Sequence, residues 1–125
     1  MTERVKHANI VSFTCLKLFA FDDRTEPKDA HDLIYCIEYA QEGLDAVASH
    51  FRKELGGKHS ATVATALDLL RKHFATEANV EGYLKTGPTA VAKFEFGNAP
   101  DQREGRILRQ RDVSDLIDQL LTLIG

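Results

Sequence analysis

The residues whose types and spacing could do chemistry cluster near the start of the chain. Lys17 stands in the middle of an apolar run, "LKLFAFDD", and two aspartates three apart, Asp29 and Asp32, open the next apolar run. A charge among apolar residues is costly unless it is paired, solvated or used. An ammonium group in such a place can meet an anionic phosphate, with an aspartate to orient it. It can equally be one half of a salt-bridged helical corner with no chemistry.

Other groups offer less. Cys15 and Cys36 both lie inside apolar runs and read as core thiols rather than nucleophiles. His7, His31, His50, His59 and His73 show no metal-ligand spacing, and His31 beside Asp32 reads as a helix-surface residue. Arg52 and His59 superficially resemble the R-x(4–6)-H motif of HEPN ribonucleases, but Gly56-Gly57 should break the helix that this motif needs. There is neither a P-loop nor a G-x-G-x-x-G stretch. "REGRILRQR" (Arg103 to Arg111) holds four arginines against one glutamate, and reads as a solvated helix face in preference to an anion site.

The elements that must position Lys17, Asp29 and Asp32 follow from the apolar period. A first helix is expected over Ile10 to Phe21, interrupted by Asp22 to Glu26, with Pro27 at the first position of the next helix. Ala30, Leu33, Ile34, Ile37, Ala40, Leu44, Val47, Phe51 and Leu55 then form one stripe, ended by Gly56-Gly57. Ser60 is the expected N-cap of a helix carrying Val63, Leu67, Leu70 and Phe74. Thr76 to Gly87 reads as a connection. "PTAVAKFEF" alternates like a strand yet opens with a proline, and a short helix is preferred because nothing else offers a strand partner. After a loop at "FGNAPDQ", Asp112 is expected to cap a last helix with Val113, Leu116, Ile117, Leu120 and Ile124.

The fold expected is a single all-α domain over residues 1–125, a bundle of five or six helices beginning with an antiparallel helical hairpin. The connection between the first two helices is short, so Lys17 and Asp29 fall at similar heights on facing helices. Asp29 and Asp32 share a face with Cys36 below them, and the helix N-terminus favours both carboxylates. Ala30, Leu33, Ile37, Leu67, Leu70, Leu116 and Leu120 are the expected core.

Composition narrows the classes. The chain has 125 residues, 43% hydrophobic and 28% charged, with a net charge of −3, which disfavours broad binding to nucleic acid. No stretch approaches a membrane span, the mixed-charge opening "MTERVKHANI" lacks a signal-peptide core, and two apolar-run cysteines fit a reducing compartment. A cytoplasmic protein is expected.

"LKLFAFDDRTEPKDAHDL" resembles the third motif of AbiEii-type nucleotidyltransferases, of the DNA-polymerase-β-like superfamily. In that motif a lysine near the end of one helix is followed by an alanine, an arginine, and a Lys/Arg-Asp-x-x-Asp-Leu opening the next. These fall here on Lys17, Ala20, Arg24, Lys28, Asp29, Asp32 and Leu33. "GPTAVAKF" is similar to a weaker downstream stretch. The resemblance implies that Lys17, with Arg24 and Lys28, meets nucleotide phosphates. It implies that Asp29 holds the active-site lysine with Asp32 in support. Nucleoside triphosphate and magnesium would be the cofactors of a completed site. The family's metal-binding D-x-D pair and its preceding Gly-Ser or Gly-Gly motif have no counterpart here, because Asp22 and Asp23 are adjacent and Gly56-Gly57 is followed by "KHSAT". Nucleotidyl transfer depends on metal charge and positioning, so the chain is expected not to be catalytic alone. The alternative is a non-catalytic helical interaction module, linked to a toxin–antitoxin-like system. Either reading expects a homo-oligomer or a protein partner.

Overall fold

The stretch His7–Arg24 contains no glycine or proline and forms α1. The computed structural model describes residues 7–125, with side chains from Ile10 onward; the mixed-charge opening at 1–6 lies outside the described residues. The helix runs past the expected end at Phe21 because none of Asp22, Asp23 and Arg24 breaks it. It stops where Thr25 takes φ 54°, a left-handed conformation that is rare for a β-branched residue. Glu26 is extended, as the residue before a proline tends to be, and Pro27 opens α2 (Pro27–Glu38).

The long stripe expected from Ala30 to Leu55 is two helices, not one. After α2 the chain turns through residues 39–43, with the Gly43 N–H donating to the Ala40 carbonyl at 3.1 Å. Gly43 adopts φ 89°, which a residue with a Cβ would resist. α3 then runs Leu44–Leu55. Ala40 and Leu44 both still pack against the core, so the turn preserves the helical period that hid it.

Ser60 is the first residue of α4 (Ser60–Phe74), and its N-cap is His59, which makes no side-chain capping bond. The connection that follows contains an isolated bridge between Glu77 and Val80 and a 3-10 turn at Gly82–Leu84. "PTAVAKFEF" is helical, within α5 (Thr86–Phe96), and Gly97 ends it at φ 73°. A 3-10 turn at Pro100–Gln102 leads directly into α6 (Arg103–Ile124). Asp112 therefore does not cap the last helix. It lies in the middle of α6, and the arginine-rich stretch is that helix's first half.

The result is an all-helical bundle, with no named strand among the described residues. Leu18, Phe21, Leu33, Ile34, Phe51, Leu70, Phe74, Val91, Ile117 and Leu120 are fully buried at its centre. Of the expected core, Ala30, Leu33, Ile37, Leu67, Leu70 and Leu120 are buried, while Leu116 is partly buried against them. α2 packs on α1 and on α5, and α6 packs on α3 and α5. Those contacts bring the polar faces of α1, α2, α5 and α6 together. No helix among the described residues is long and apolar enough to cross a membrane.

Candidate functional site

Lys17 reaches from α1 to both aspartates of α2. Its Nζ lies 3.0 Å from Asp32 Oδ2 and 3.5 Å from Asp29 Oδ1. Arg24, near the connection, donates to Asp29 Oδ2 at 2.8 Å, and Lys28 donates to Asp32 Oδ2 at 3.0 Å one turn along α2. All five charged residues singled out in the sequence thus meet in one cluster. Their exposure differs. Asp29 is buried, the Lys17 side chain is 21% exposed, and Arg24 and Lys28 are open to solvent. The Lys17 ammonium is held above the ordinary lysine range, by its bond to Asp32 first and against a smaller effect of burial. Burial acts to raise Asp32, but Lys28 and Lys17 outweigh it and leave that carboxyl below its usual range.

The cluster continues through a residue the sequence left on the surface. His31 is half-buried between α2 and α5, with its ring 4.5 Å from that of Phe94. Nδ1 lies 3.6 Å from Asp32 Oδ1 and Nε2 lies 3.7 Å from Glu95 Oε2, too long for hydrogen bonds. Glu95 in turn accepts from Arg109 of α6 at 3.0 Å. Arg109 also forks onto both oxygens of Glu38 and donates to Asp112 at 2.7 Å. These carboxylates, Glu38 first, raise the Arg109 guanidinium even further above its already high range. A belt of charge therefore runs from Lys17 to Asp112 across four helices. Glu38, Glu95 and Arg109 could not be found from local spacing, because each comes from a different helix.

A second group ties α1, α4 and α5. His73 is buried, its Nε2 lies 2.9 Å from Asp22 Oδ1, and its Nδ1 lies 2.7 Å from the Thr86 hydroxyl. Asp22 only accepts, so Nε2 carries the proton, and in the neutral ring Nδ1 accepts from Thr86. The His73 bond, then Lys72 at 3.1 Å, hold the Asp22 carboxyl below its usual range. The ring also meets Phe21 edge-on at 5.1 Å. This arrangement fixes three helices together, and sequence spacing gave no sign of it.

The magnesium that the resemblance implies does not fit the carboxylates present. Both Asp29 oxygens and Asp32 Oδ2 are taken by Lys17, Arg24 and Lys28, and Asp32 Oδ1 faces His31. Among the described residues no group of three or more His, Cys, Asp or Glu side chains could hold a metal. Cys15 is buried and Cys36 half-buried, and burial pushes both thiols up, a setting that disfavours the thiolate a nucleophile needs. Gly56 and Gly57 separate Arg52 from His59, and Arg52 donates to the Leu123 carbonyl instead.

Comparison of the chain with protein-family models, with curated proteins and with solved structures gives no match.

Proposed function

We propose that this chain is a nucleotidyltransferase-like helical domain that presents Lys17 to a phosphate and does not catalyse transfer alone. The observation that carries this reading is the setting of Lys17. Two aspartates of the neighbouring helix fix its ammonium, yet the side chain keeps a path to solvent. An ammonium held in place loses less conformational freedom on meeting an anion than a mobile surface lysine does. In this reading Asp29 and Asp32 position Lys17, and Arg24 and Lys28 add positive charge at the rim. The metal and its carboxylates would come from a second part of the site. Incubation of the chain with nucleoside triphosphates, magnesium and a nucleic-acid or protein acceptor tests the second half of the claim. No transfer is expected, and efficient turnover would refute it.

A second reading, a non-catalytic interaction module, is favoured by one specific feature. Phe94, His31, Tyr35 and Tyr39 form a run of rings with centroid separations of 4.5, 6.0 and 4.7 Å. Phe94, Tyr35 and Tyr39 are exposed, as are Leu16 and Phe19 of α1. Exposed apolar surface of this kind marks contacts between proteins. Light scattering at high protein concentration tests it: a dimer or larger species supports the module, and a strict monomer counts against self-association.

A further inference from the structure

We infer that the first half of α6 and the 3-10 turn at Gly82–Leu84 form a binding groove for an organic phosphate monoester. The groove shares no residue with the Lys17 cluster, and the inference does not depend on the reading given to that cluster.

The four arginines of "REGRILRQR" have two different fates. Arg109 is surrounded by Glu38, Glu95 and Asp112. Arg103, Arg106 and Arg111 have no carboxylate within ion-pair distance among the described residues, and all three line one concave groove of about 390 Å³. Their spacing explains the division. Positions 103, 106, 107, 110 and 111 recur at three- and four-residue steps and share a helix face, whereas 109 points away from it.

Two of the three are also held still. Arg106 donates through Nη1 to the Gly97 and Ala99 carbonyls at 3.1 and 2.8 Å, which leaves Nε and Nη2 unused. The Arg111 guanidinium lies 4.0 Å from the centroid of the Tyr83 ring, a stacked arrangement that leaves its N–H edge open. Gln110 fixes the opposite wall by donating to the Tyr83 carbonyl at 2.8 Å. Mobile arginines on a solvated face need no such anchors. Planar guanidinium groups with unused donors and no counter-charge match a phosphate dianion, which accepts several N–H bonds at once. Leu84, 61% exposed at the rim, and Ile107 give an apolar surface for the group that the phosphate carries. The cavity size suits a small molecule.

The test is calorimetric titration of the whole chain with phenyl phosphate, inorganic phosphate and phenol at low ionic strength. Phenyl phosphate should bind saturably and phenol should not. The double variant Arg103→Gln/Arg111→Gln should weaken binding by about tenfold or more, while Lys58→Gln, an exposed lysine in the turn between α3 and α4, leaves it unchanged. Both substituted arginines are exposed, and circular dichroism checks that the double variant keeps its helices. Inorganic phosphate should bind less tightly than the ester, as the apolar wall requires, and equal binding would overturn the ester and leave free phosphate as the ligand. The proposal is overturned if phenyl phosphate fails to bind at millimolar concentration, if phenol binds as well, or if the double variant binds like the wild type. Loss of binding in Lys17→Ala alone would also overturn it and move the phosphate to the α1–α2 cluster.

Discussion

Arg109 of α6 grips Glu38 of α2 with two parallel N–H bonds, at 2.5 and 2.7 Å, although the two residues are 71 positions apart. A forked guanidinium–carboxylate pair demands a particular orientation of both helices. The same guanidinium holds Glu95 of α5, so one side chain sets the positions of three helices around the candidate site.

Arg109→Ala leaves Glu38 and Glu95 partly buried without their counter-charge. The side chains of the trio are 14%, 21% and 26% exposed, so solvent screens part of the loss. A cost of about 1–3 kcal/mol is expected in urea unfolding. Arg109→Lys should recover only part of it, since an ammonium cannot fork.

The bond between Asp22 and His73 predicts an acid-sensitive tie. The folded-state value of Asp22 is depressed, so its stabilising effect is complete above the ordinary aspartate value of about 3.9 and is lost as pH falls through the lower folded value. Asp22→Asn should unfold with a flatter pH dependence in that acid range than the wild type. Identical acid limbs in the two proteins would show that the tie carries no such linkage.

Thr14 is fully buried, and its hydroxyl has no hydrogen-bond partner among the described residues. Thr14→Val keeps the shape and removes the unmet polar group. The melting temperature should rise, with a gain of about 1 kcal/mol. A clear loss of stability would mean that the hydroxyl is satisfied.

Gly87 marks a close approach of α5 to α4. A Cβ there would fall 2.5 Å from the Phe74 ring, which is itself fully buried. Gly87→Ala should therefore destabilise by about 1–3 kcal/mol, measured by denaturant unfolding.

The residues that were legible in the sequence share a short reach. Lys17, Asp29 and Asp32 could be brought together on paper because few residues join their helices and three-residue spacing puts the aspartates on one face. The helical character of "PTAVAKFEF" followed from its proline and from the lack of a strand partner. The turn at residues 39–43 stayed hidden because it keeps Ala40 and Leu44 on the core side, and Gly43 was its one local signal. Asp112 has the chemistry of a cap, but its carboxylate is used by Arg109 within a longer helix. His31, His73 and Arg109 owe their roles to partners on other helices, a relation that no local window contains.

The central claim is that Lys17 is held for a phosphate, not merely neutralised. Its most direct test is a nuclear magnetic resonance titration of the chain with a nucleoside triphosphate and magnesium, in the wild type and in Lys17→Ala. The account predicts weak, saturable shifts centred on Lys17, Asp29 and Asp32, and their loss in Lys17→Ala with the rest of the spectrum preserved. Shifts that leave these residues untouched, or that persist in Lys17→Ala, would contradict it.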